Sequence, residues 1–138
     1  MSIKKTFAAL SLTALMLVSA ASAAGTATIT ISHQMRGCHM WQLANGNPRA
    51  TLSVTLKAGT VVRFVNNDVM PHQLVQQAGP KLRLPHARMS HMSAAMSVKL
   101  VGKGVYRFTT KPGEDYKAFS SMKTVGEDYV LHLTIHVK

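Results

Sequence analysis

Over most of the chain apolar residues recur at every second position, the period of a strand with one buried face. Ile29 and Ile31 share a face within residues 26–32, and Leu52, Val54 and Leu56 do so within 51–56. Residues 61–65 are β-branched and aromatic, Met96, Val98 and Leu100 alternate, and Tyr106 and Phe108 share a face within 105–110. Leu131, Leu133, Ile135 and Val137 alternate to the end, which puts His132 and His136 on the polar face of the last strand. Turns are written between these runs, at Lys57-Ala58-Gly59-Thr60 and at Gly102-Lys103-Gly104. Short alternating runs with this punctuation predict an all-β sandwich of about seven to eight strands. No segment after the leader carries a capped helical stripe; the one short candidate is 90–96.

Two stretches break the alternation, 33–49 and 66–95, and are expected to be long irregular loops. Loops of that length in a compact domain are usually functional. These two carry Cys38, Met89, Met92 and five of the chain's histidines: His33, His39, His72, His86 and His91.

The first residues follow a different grammar. Lys4 and Lys5 precede an uncharged apolar run over 7–18, and Ala21-Ser22-Ala23 is a small-x-small cleavage signal. This predicts a secretory leader over 1–23, cut after Ala23, and a periplasmic or secreted protein. The apolar run is too short to span a bilayer, and no other stretch is long and apolar enough to do so. Residues 24–138 are expected to form one domain, long enough to bury a core without disulfides.

Sixteen Lys and Arg against five Asp and Glu give a formal net charge of +11. The charge is spread along the chain and suits an acidic partner protein. Nucleic acid is not expected: the chain is exported, and aromatic residues are not interleaved with the basic ones as base stacking requires. The five carboxylates are Asp68, Glu114, Asp115, Glu127 and Asp128. Asp68 reads as a turn residue that bonds its own backbone. The similar runs at 113–116 and 126–129 also read as turns. With no phosphate-binding loop and no nucleophile elbow, no enzyme activity is expected.

The chemistry concentrates around the single cysteine, in Gly37-Cys38-His39-Met40-Trp41. A lone thiol in an exported protein has no internal disulfide partner. It is buried and inert, pairs with another molecule, or holds a metal. Thiolate, imidazole and thioether together suit copper: a thiolate and imidazoles form a trigonal plane, with a weak axial sulfur. Zinc also accepts Cys and His. Trp41 is placed beside the site or in the core.

The run Lys57-Ala58-Gly59-Thr60-Val61-Val62-Arg63-Phe64-Val65-Asn66-Asn67-Asp68, ending in Met70-Pro71-His72, resembles the cupredoxins, the small blue-copper family. The strand at 104–113 resembles the one that leads into that family's second ligand loop. The resemblance implies a Greek-key sandwich, copper cycling between Cu(I) and Cu(II), and His72 as the first ligand. The sequence departs from the family where its cysteine, histidine and methionine normally follow: Thr109, Thr110, Glu114 and Asp115 stand there, and no cysteine lies downstream of Cys38. In the family's fold the connection after the first strand lies at the same end as the first histidine. Cys38 and His72 are therefore the leading ligands, followed by His39 and His33, with Met89 or Met92 as axial sulfur. In an extended backbone adjacent Cys38 and His39 would point oppositely, so a turn at Gly37 is needed to converge them. His91 is a candidate for a second copper-acquisition site, Met96 for the core, and His86 for the surface.

Three functions follow. The first is electron transfer through this centre to a redox partner, with His39 or His72 at the loop surface as the electron route. The second is carriage of Cu(I) on Cys, His and Met to a copper-accepting protein. The third is a metal-free binding module on the same sandwich.

Overall fold

A computed structural model describes residues 24–34, 39–85, 87–112 and 131–138. The leader at 1–23, Cys38, His86 and the turns at 113–116 and 126–129 lie outside the described residues.

The alternating runs become strands: β1 Thr26–His33, β2 His39–Leu43, β3 Thr51–Leu56, β4 Val61–Asn67, β5 His72–Ala78, β6 Arg88–Met89, β7 Ala95–Lys99, β8 Gly104–Pro112 and β9 His132–Val137. They form a four-stranded sheet, in the order β2-β1-β4-β7, and a five-stranded sheet, in the order β3-β9-β8-β5-β6. The chain crosses between sheets from β2 to β3, β3 to β4, β4 to β5, β6 to β7 and β7 to β8. No helix occurs among the described residues, so none there is long and apolar enough to cross a membrane.

Burial follows the alternation. Ile29, Ile31, Trp41, Val62, Phe64, Tyr106, Phe108 and Ile135 are fully buried between the sheets. Aromatic rings tie the middle together: Phe64 meets Phe108 at 5.5 Å and Trp41 at 6.5 Å between ring centroids. Tilted and edge-on contacts of this kind suit the ring quadrupole. Gly59, at φ 86°, turns the chain from β3 into β4, a conformation a side chain disfavours.

Two expectations need correction. The stretches 33–49 and 66–95 are not wholly loops, because β2 lies in the first and β5 and β6 in the second. In β2 the histidine and methionine obscure a strand whose Trp41 also exchanges backbone hydrogen bonds with Arg49, both of 2.8 Å. In β5 Gln73, Gln76 and Gln77 dilute the apolar signal, yet His72 and Leu74 still alternate inward. Nor is the short candidate at 90–96 a helix. Ser93 has φ 69°, which no helix permits, and Met96 already belongs to β7.

Candidate metal centre

Parallel pairing of β1 with β4 brings the ends of both strands to one end of the sandwich. β2 runs antiparallel to β1 and begins there, with His33 opposite His39 in register. β5 begins at the same end in the other sheet. The inward register of each strand runs on into a polar residue. His33 follows Ile29 and Ile31, His39 precedes Trp41, Asp68 follows Val62, Phe64 and Asn66, and His72 precedes Leu74. The core stripes therefore end in three imidazoles and a carboxylate, gathered from both sheets.

Asp68 is the hub. Its side chain is 0% exposed. Oδ2 accepts from His72 Nε2 at 2.8 Å and also meets His39 Nδ1, while Oδ1 meets His33 Nδ1 at 3.1 Å. His39 and His72 are each 2% exposed, and their rings stand edge-on at 4.9 Å. His33 closes the cluster from outside, 45% exposed and 6.2 Å from the His39 ring. Burial pushes the Asp68 carboxyl up, but the hydrogen bond from His72 and the charges of His39, His72 and His33 together outweigh it. The carboxyl is held below the usual aspartate value.

Asn66 holds the hub in place. Its Oδ1 accepts from the Asp68 backbone N–H at 3.0 Å, and its Nδ2 donates to the carbonyls of Met70 and Met89 at 2.7 and 3.1 Å. These bonds fasten the crossover between the sheets to β6. They also correct the expectation for Asp68: its carboxylate serves the histidines, and the turn is shaped by Asn66 instead. The sequence did carry a signal for Asp68, since it continues the inward parity of Val62, Phe64 and Asn66, where a charge needs a partner.

Of the expected site residues, the structure brings together His33, His39 and His72. Met89 is buried and in register with His72 across the β5–β6 pair, whereas Met92 is 48% exposed in the following turn. Cys38 lies outside the described residues, next to His39. The expected electron route through a surface-exposed His39 or His72 is corrected: both are buried, and His33 is the exposed member of the cluster. His132 is exposed and His136 half-buried on the outer face of β9, as its alternation indicates. Trp41 lies fully buried, two residues from His39 on the same face.

The donor set fits a metal. Donor atoms of His33, His39 and Asp68 all lie within 4.8 Å of one another. A neutral imidazole that donates through Nε2 carries its lone pair on Nδ1, and in His72 it is Nε2 that faces Asp68. That Nδ1 is buried and has no hydrogen-bond partner among the described residues. A buried polar atom without a partner is costly unless a ligand occupies it.

No protein-family model and no curated protein matches the chain. Solved structures do. A purple cupredoxin from Nitrosopumilus maritimus aligns over 81% of this chain and 99% of its own, at 15% identity and a TM-score of 0.51. A plastocyanin from Dryopteris crassirhizoma aligns over 80% of this chain and 99% of its own, at 16% identity and a TM-score of 0.47. An amicyanin from Paracoccus versutus aligns over 86% of this chain and 83% of its own, at 18% identity and a TM-score of 0.46. Together with two sheets of nine described strands, the first of these shows a cupredoxin-like β-sandwich.

Proposed function

We propose that this is an exported copper protein of the electron-transfer type, with one centre built from Cys38, His39 and His72. His33 closes its outer side, and Met89, buried beside His72, would supply the thioether sulfur in preference to the exposed Met92. The observation that carries the reading is the buried pair of imidazoles, one from each sheet, next to the only cysteine of the chain. Copper bound there supplies one-electron chemistry. The chain's own part is to fix two imidazoles in a rigid, water-poor end of the sandwich, which keeps rearrangement between oxidation states small. His33 offers the exposed edge toward a partner, and the excess of Lys and Arg over Asp and Glu suits an acidic one. The leader at 1–23 supports a periplasmic or secreted location.

The visible and paramagnetic-resonance spectra of the Cu(II)-loaded chain, beside those of Cys38→Ser, test this reading. An intense thiolate-to-Cu(II) band that bleaches reversibly on reduction, and is absent from Cys38→Ser, is the expected result. Identical spectra remove Cys38 from the centre. The exposure of His33 and Met92 favours copper carriage as a second reading, since an open lip eases transfer of an ion. In that case the chain supplied with Cu(I) holds it in a colourless form, and no lasting thiolate-to-Cu(II) band develops.

A further inference from the structure

We propose that Asp68 belongs to the metal centre and makes it select a divalent ion over a monovalent one. This rests on the reading of the surrounding histidines as metal-holding, and not on the cysteine.

Asp68 is fully buried in a chain rich in Lys and Arg, yet its ion-pair partners among the described residues are His33, His39 and His72 alone. A buried carboxylate needs positive charge nearby. Imidazoles supply it only when protonated, and a protonated imidazole has no lone pair for a metal. A metal ion within the cluster supplies the charge and leaves the imidazoles neutral.

The attraction between that ion and the carboxylate grows with the charge of the ion, and more steeply in a dry site than in water. Donor chemistry points the same way, because carboxylate and imidazole suit Zn(II) and Cu(II), whereas Cu(I) prefers soft sulfur.

The bias does not depend on whether Asp68 touches the ion. Its oxygens lie among the donor atoms of His33 and His39. Through the 2.8 Å hydrogen bond to His72 Nε2, it also orients that ring and strengthens Nδ1 as a metal donor. Both routes stabilise the higher charge. The centre is therefore held toward Cu(II), with a lowered reduction potential, and it accepts Zn(II).

Competition titrations of the full chain with Zn(II), and with Cu(I) under anaerobic conditions, test this on wild type and Asp68→Asn. The expected result is a loss of zinc affinity of about 10–100-fold, a clearly smaller loss for Cu(I), and a raised reduction potential of the copper form. Equal losses for both ions, or unchanged zinc affinity, overturn the proposal. If Asp68→Asn does not fold, wild-type chain carrying 13C at its aspartate carboxyl carbons replaces it, with Asp115→Asn and Asp128→Asn identifying the Asp68 signal by elimination. That signal moves with stoichiometric Zn(II); a stationary signal overturns the proposal. Cys38→Ser separates the two readings. Zinc selectivity that survives in it, beside an unchanged copper spectrum, defeats the thiolate centre and leaves Asp68 in place. A wild-type chain that binds neither ion defeats both.

Discussion

Ile31, Trp41, Phe64 and Leu74 fill the middle of the sandwich; one or two inward positions along the same strands stand His33, His39, Asp68 and His72. Strands run from one region into the other, and their parity carries on to Asp68, one residue past β4. What differs is the way burial is made favourable. In the middle, removing apolar surface from water stabilises by itself, at about 25 cal/mol per Å², and a neighbour need only fit. At the end, each buried polar group costs free energy unless a specific partner meets it. The middle therefore tolerates exchange among residues of similar size, while the end is a linked set in which each member depends on Asp68. A polar cluster made this way needs only different residues at, or just past, the ends of the core stripes.

The comparison is challenged most severely by Phe64→Ala. This removes the ring that joins Trp41 to Phe108, and is expected to cost about 3–5 kcal/mol, measured by chemical unfolding. A loss below about 1 kcal/mol would mean that the middle does not carry the fold.

The acid sensitivity of the metal-free chain isolates the polar end. Because the folded-state pKa of Asp68 is lowered, its contribution is fully present above the ordinary aspartate value of 3.8 and is lost as pH falls through the lower folded value. Asp68→Asn is expected to flatten that acid limb of the stability curve. An unchanged limb would place the sensitivity elsewhere.

The smallest effect belongs to His33→Ala. As its ring is 45% exposed, its contact with Asp68 is expected to contribute about 0–1 kcal/mol to stability. Thermal unfolding of the metal-free chain checks this, and a loss like that of Phe64→Ala would show His33 to be structural.

Much of this architecture was legible beforehand. Alternation at Ile29 and Ile31, at Leu52 to Leu56 and at Leu131 to Val137 located strands because the sandwich buries one face of each. β2 and β5 were obscured because His39, Met40 and the β5 glutamines dilute the apolar signal, although His39 with Trp41 and His72 with Leu74 keep the period. His33 and His39 stood out beside the lone cysteine, and His72 through the resemblance carried by residues 57–72. Asp68 did not, because an Asp beside Asn66 and Asn67 looks like ordinary turn chemistry. Its meaning depends on His33 and His39, which lie far away in sequence.

By itself the sequence determined the fold class, the resemblance carried by residues 57–72, and the inventory of metal-binding side chains. These are local properties, set by period and residue type. Only the tertiary structure decided which of those side chains meet. Parallel pairing of β1 with β4 and the crossing into β5 are long-range events, and they alone bring three imidazoles onto one buried carboxylate.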